Sequence, residues 1–227
     1  MELREYMEMN FPGVELKPGL YHQWDIGIHF ELAESLSPFK NASDELNPEY
    51  FHMVHNQANT IFNELFVPED EIFLVTNLYQ RKDSKRESNN KMNVYHHYIK
   101  NKAVRSHLKQ ITLPFIFEDE EDHLEKYTAQ FSLNCRKQDV QTSLLLKAIS
   151  HQDFPPSKPR LHNPYGLYEP DVFFVNSTRN LIFYMYDDRE CEVIASDIEM
   201  IRKLYTKYHN WVEEHYREEI AERFNKE

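Results

Sequence analysis

The chain reads as an α+β protein: one mixed, mostly antiparallel sheet packed by helices and ending in a ββ(β)α unit. Three observations carry this. Strand-like and helix-like stretches follow one another without strict βαβ alternation. The run DVFFVNSTRNLIFYMYDDRECEVI (171–194) holds two or three strands joined by short turns. An amphipathic stripe follows it at once, at Ile198, Ile201, Tyr205, Tyr208 and Val212. With 227 residues, 41% hydrophobic and 14% aromatic, and only 4 glycines, the chain is globular in composition and long enough to bury a core without metal or disulfide staples. A single domain over 1–227 is expected.

Taken in order, residues 2–10 suit a short helix that Phe11-Pro12-Gly13 ends. Tyr21 to Leu32 alternates, with Trp24, Ile26, Ile28, Phe30 and Leu32 on one parity and Asp25, His29 and Glu31 on the other, so it reads as a half-buried strand with a polar face. Asn47-Pro48 starts a helix over 48–66, the Asn capping and the Pro ring needing no hydrogen bond. EIFLVTNLY at 71–79 is a strand buried on both sides, and RKDSKRESNNK after it is an exposed, weakly basic loop. Residues 92–108 favour helix. ITLPFIF at 111–117 is an edge strand because Pro114 cannot donate to a ladder, and TAQFSLNC at 128–135 is its partner. The acidic run EDEED between them is a solvated loop.

Asp139 is placed as the cap of a helix through Val140, Leu144, Leu145, Ala148 and Ile149. The proline-rich stretch 154–170 wraps toward the C-terminal unit at 171–227. There, strands at 171–176, 180–186 and 191–195 precede a helix with an S-x-x-E box at Ser196 and Glu199, broken near His209 to Glu214.

A formal charge of −12 argues against a protein that grips a phosphate backbone and suits a basic protein partner. Cys135 and Cys191 have no metal-ligand or C-x-x-C spacing and read as buried reduced thiols. No apolar run approaches the ~20 residues of a membrane span and the N-terminus lacks a signal-peptide pattern, so the expected location is cytoplasmic. With so few glycines there is no phosphate-cradling loop, and no organic cofactor is implied.

The densest charge between apolar strand residues is Tyr186-Asp187-Asp188-Arg189-Glu190. Adjacent carboxylates at a strand end can hold a divalent cation, and Arg189 beside them can fork onto an anion. Alternatively one Asp serves the turn backbone while Arg189 pairs with the other. A metal site needs a further ligand, for which His29 and Glu31 are the candidates. Other histidines, among them His52, His55, His96, His97 and His162, form no recognised ligand spacing.

NFPGVELKPGLYHQWDIGIHFEL, PEDEIFLV, LLLKAISHQDF and VFFVN…IFYMYDDREC…IA resemble an uncharacterised Bacillus-type family, a domain of unknown function, DUF 3885, over nearly the whole chain. The family pattern reads YDDRGC and IRFEL where this chain has Glu190 and His29. A glycine after Asp-Asp-Arg suggests positive φ, which Glu190 would have to accept or avoid by reshaping the turn. The resemblance implies a bacterial cytoplasmic protein and similarity to small acidic proteins encoded among toxin and immunity genes.

Three functional readings follow. A non-enzymatic acidic interaction protein of the immunity or inhibitor kind expects an acidic face, including Asp119 to Asp122, and no deep pocket at Asp187. A metal-dependent hydrolase or nuclease expects Asp187, Asp188 and Glu31 within shared-ligand distance in a cleft, with His29 as a further candidate. A nucleic-acid-binding module requires a basic aromatic face from residues 80–109.

Overall fold

A computed structural model describes residues 1–40, 43–83, 93–117, 119–163 and 166–225. Its strands are β1 (Gly27–Glu31), β2 (Glu71–Arg81), β3 (Lys109–Leu113), β4 (Lys126–Arg136), β5 (Asp171–Asn176), β6 (Leu181–Met185) and β7 (Glu190–Ala195). They form one sheet in the order β1-β7-β6-β5-β2-β4-β3. Each pairing is antiparallel, so the α+β class holds with no parallel pair among the described residues. The long central strand β2 is buried from Ile72 to Gln80, as a run apolar on both parities requires.

The helices are α1 (Leu3–Asn10), α2 (Pro48–Leu65), α3 (Asn93–Tyr98), α4 (Lys102–Arg105), α5 (Thr142–Ile149), α6 (Glu199–Tyr208) and α7 (Arg217–Asn225). One sheet face carries Ile72, Leu74, Phe174, Phe183, Cys191 and Val193 and packs against α2, α5, α6 and α7 in the larger core. Phe62 of α2 sits in that layer, stacked on Phe66 at 4.2 Å and edge-on to Phe174 and Phe183 at 4.9 and 5.3 Å. The opposite parity (Phe73, Val75, Phe173, Val175, Ile182 and Ile194) packs against α1 and the chain after it through Tyr6, Phe11 and Leu20. That second layer covers only part of its face. Toward the ends where β5 and β7 begin, the register pairs His29 with Glu192 and Glu192 with Tyr184, and separately Asp171 with Asn77 and Asn77 with Gln130; the Tyr184 hydroxyl, donating to Asp171 at 2.6 Å, joins the two polar sets.

Several boundaries depart from the sequence reading. Leu20–Gln23 is a 3-10 turn behind Gly19, which is left-handed at φ +79°, so β1 starts only at Gly27. Gly27 also allows a close approach, since a Cβ there would lie 3.1 Å from the Ile194 Cγ2 and the Val193 carbonyl oxygen. Asn47 caps α2 as expected, accepting from Glu49 N–H at 3.1 Å. Asp139 does not cap α5, because its carboxylate accepts from Arg136 N–H at 2.9 Å and holds the preceding 3-10 turn. At α6 the acceptor is Asp197, not Ser196, taking the Glu199 N–H at 2.9 Å. β3 lies at the sheet edge as expected, but it runs Lys109–Leu113 and ends before Pro114, so the expected strand over 111–117 is cut short and the proline terminates the strand rather than sitting in it.

Both cysteines are buried and unpaired with each other. No helix among the described residues is long and apolar enough to cross a membrane. The segment 84–92, central to the basic-loop reading, lies outside the described residues, as does Glu118 of the acidic run. Tyr95 and Tyr98 are buried in the core at 1% and 5% exposure, so neither offers a ring for base stacking.

Candidate functional site

The turn between β6 and β7 is built by its own aspartates. Asp187 is buried and accepts from Arg189 N–H at 2.7 Å through Oδ1, an Asx-type turn, and from Arg189 Nε and an Arg189 terminal nitrogen at 2.9 and 2.5 Å through Oδ2. The Arg189 side chain is 67% exposed even so, and its guanidinium lies 6.0 Å from the Tyr186 ring. Donating to the Asp187 carboxylate, and then that carboxylate's charge, raise Arg189 above the usual guanidinium range. Asp188 turns the other way, into the helical layer, where it accepts the Tyr50 hydroxyl at 2.6 Å. Burial raises the Asp188 carboxyl, and the Tyr50 hydrogen bond partly offsets this. Glu190 has no left-handed backbone, because the non-glycine residues with positive φ among those described are Ala33 and Asn180. Glu190 is instead the first residue of β7, in extended backbone.

Beside this turn lies an open cleft of about 820 Å³, which the interaction reading did not expect at Asp187. Its floor holds Asp171, buried at the start of β5, which accepts the Tyr184 hydroxyl at 2.6 Å and that of Tyr79. Burial raises the Asp171 carboxyl to about 6, while those two hydrogen bonds act to lower it. Phe117, Tyr168 and Tyr79 form an aromatic shelf with ring centroids 5.4–6.0 Å apart. The wall adds Glu120, Asp153 and Glu169, so the lining carries five carboxylates against the single guanidinium of Arg189. Of these, Glu120 is bonded to Lys126 and Tyr168, and Glu169 to His162 Nδ1 and Asn163 N–H. The Asp153 carboxyl is raised by burial and then by the Asp187 charge.

The third carboxylate beside Asp187 and Asp188 is Asp153, from the turn after α5. One oxygen from each of the three lies within 4.8 Å of the others. Glu31 does not join them. It pairs across strands with Glu190, and its carboxyl is raised by burial and by Glu34, Glu213 and Glu214.

His29 is not on a solvated face either, being 5% exposed. Its Nε2 stands 3.2 Å from Glu190 Oε2 and 2.9 Å from Glu213 Oε2, and its Nδ1 3.5 Å from Glu192 Oε1. Burial lowers the imidazole, but Glu190 and Glu192 outweigh it and raise the group to about 9. Tyr21 and Tyr216 wall it, at ring distances of 5.9 and 5.1 Å.

Of the other histidines, His52 bonds Asn56 and His55 bonds Ser143, both on the helical side of the molecule. Within the acidic run, Asp122 is tied to Lys126 and Arg81 at 2.5 and 3.1 Å, while Asp119 and Glu121 are exposed. Asp153, Asp171 and Glu213 were not picked out by the sequence, since none shares a local motif with the residues it meets.

A family model described as "Domain of unknown function (DUF3885)" matches residues 3–216. The "Uncharacterized protein YnaE" of Bacillus subtilis (strain 168) is 48% identical over 219 residues, which is 95% of this chain and 99% of that protein. No solved structure matches the chain.

Proposed function

The chain belongs to the family described as a domain of unknown function, DUF3885, and from that premise we propose that it is a non-enzymatic interaction protein of the immunity or inhibitor kind. In this reading the cleft beside the Asp-Asp-Arg turn receives a cationic segment of a basic protein partner. The observation that carries the reading is the cleft's lining, in which Asp153 stands beside an aromatic shelf among carboxylates already paired with Lys126, His162 and Arg189. A lysine or arginine side chain laid on Tyr168 or Phe117 gains a cation–π contact within a cleft that Asp153 also lines. The turn aspartates support the same conclusion, because Asp187 and Asp188 already serve Arg189 and Tyr50. The overall charge of −12 steers basic partners toward the surface.

Panning random dodecapeptides on the immobilised protein tests this. Peptides enriched in Lys or Arg next to an apolar residue are expected, and Asp153→Asn with Tyr168→Ala should lose them. Enrichment of acidic peptides, or the same basic set on the double variant, contradicts the reading.

One observation favours a second reading, a metal-dependent hydrolase, namely the closeness of Asp153, Asp187 and Asp188. It requires Mg²⁺ or Mn²⁺ to displace Arg189 from Asp187. Calorimetric titration with both ions, on the wild type and on Asp187→Asn, decides it: binding lost in a folded variant supports the hydrolase.

A further inference from the structure

The cage around His29 is separate from that cleft, and its composition has a consequence of its own. Three carboxylates (Glu190, Glu192 and Glu213) surround one imidazole, with Glu192 at 5% side-chain exposure and the imidazole at 6%. A protonated imidazole balances one of the three negative charges, and Glu190 and Glu213, with 36% and 32% of their side chains exposed, leave the front of the ring open to solvent. The described basic groups nearby make bonds elsewhere: Arg189, whose charge reaches Glu190, pairs with Asp187; His22 bonds the Tyr216 hydroxyl at 3.3 Å; Arg217 donates to the Val212 carbonyl at 3.0 Å; and Arg223 pairs with Glu219.

We propose that His29 Nε2, Glu190 and Glu213 form a binding site for one divalent transition-metal ion, Zn²⁺ or Mn²⁺. Ligand atoms bound side by side on such an ion, with bonds of about 2.0–2.2 Å, stand about 3.0–3.4 Å apart. The His29 Nε2 distances to Glu190 and Glu213 are 3.2 and 2.9 Å, and the three ligand atoms lie within 4.8 Å of one another. The donor set of one imidazole and two carboxylates suits this class of ion.

The far side of the ring fits as well. His29 Nδ1 is buried without a hydrogen bond and stands 3.5 Å from Glu192 Oε1. A carboxylate behind a ligating histidine holds the proton on the rear nitrogen and leaves the front lone pair for the metal. Glu192 is itself held by the Tyr21 N–H at 3.4 Å.

The ligands come from three pieces of chain that the fold already ties together. His29 and Glu190 sit on the paired strands β1 and β7. Glu213 lies in the turn between α6 and α7, and its N–H donates to the His29 carbonyl at 3.1 Å, next to a bridge between Phe30 and Val212. An ion here clasps the edge strand to the C-terminal helices, so binding and folding stability are linked.

The test is calorimetric titration of EDTA-stripped, full-length protein with ZnCl2 and MnCl2, with thermal melts on the same samples. One equivalent of either ion should bind and raise the melting temperature. Glu213→Gln, at a position with a third of its side chain exposed, keeps the fold and should weaken binding at least tenfold. His29→Arg fills the cage with a permanent cation and should abolish binding while the protein stays folded. Absence of stoichiometric binding overturns the proposal. So does binding that survives Glu213→Gln unchanged, or that is lost in Asp187→Asn instead, which places the ion in the other carboxylate group.

Discussion

Removing one hydroxyl, by Tyr50→Phe, isolates what the Asp-Asp-Arg turn contributes to the fold. The Tyr50 hydroxyl donates to Asp188 Oδ2 at 2.6 Å, with the two residues at 3% and 4% exposure. Deleting a hydrogen bond to a charged acceptor costs about 1.5–3 kcal/mol, here about 2 because the remaining carboxylate stays buried. For a chain of this size that lowers the melting temperature by about 4–8 °C. Asp188→Asn keeps an acceptor oxygen and removes a charge that burial disfavours, so it should cost only about 1 kcal/mol. The double variant should lose about 2 kcal/mol rather than the additive 3, a coupling near 1 kcal/mol. Urea unfolding followed by tryptophan fluorescence reads each corner of the cycle. A Tyr50→Phe cost within about 0.5 kcal/mol of zero, the usual range for a surface change, would refute the structural role assigned to Asp188.

Three further outcomes are expected. Asp171 has its carboxyl raised from 3.8 to about 6, so the folded state holds a proton that the unfolded chain releases between those values, and its contribution to stability falls as pH rises through that window. Asp171→Asn should therefore gain on the wild type by up to roughly 3 kcal/mol between pH 4 and pH 7 in urea midpoints, and the opposite trend would contradict the assignment. Phe62→Ala empties the centre of the helical layer and should cost about 3–5 kcal/mol by the same unfolding measurement. Gly27→Ala forces a methyl to within 3.1 Å of Ile194 and of the Val193 carbonyl, and should cost about 1–3 kcal/mol by overpacking.

The sheet was largely legible because its strands carry their own signals. The apolar run of β2, the closely spaced β5, β6 and β7, and Asn47-Pro48 at the start of α2 are local features that tertiary packing reinforced. Where local chemistry offered two solutions, the sequence was a weaker guide. Alternation across Tyr21 to Leu32 reports which side a residue faces, not whether its backbone joins a ladder, and Gly19 sent Leu20–Gln23 into a 3-10 turn. Asp139 and Ser196 looked like caps, but Arg136 N–H claimed the first and Asp197 replaced the second.

The site was legible only in part, for a related reason. Asp187, Asp188, Arg189 and Tyr186 announce themselves as charge and an aromatic beside apolar strands, whereas their company is set by distant loops. Asp153 arrives from the turn after α5, and Asp171 faces the cleft because β5 begins there. Alternation placed His29 on a polar face without saying what covers that face, and Tyr21 from the turn just before β1 and Tyr216 from near the C-terminus close over it.

The central claim is that the cleft beside the Asp-Asp-Arg turn takes a cationic side chain. Its most direct test is a two-dimensional NMR titration of ¹⁵N-labelled protein with the peptide acetyl-Gly-Arg-Lys-Gly-amide, beside its Glu-Glu counterpart as control. The account predicts saturable shifts confined to Asp153, Tyr168, Glu169, Tyr186 and Arg189 with the basic peptide, weakened by salt and absent with the acidic one. Shifts at Arg189 with the acidic peptide, and none with the basic one, would contradict it.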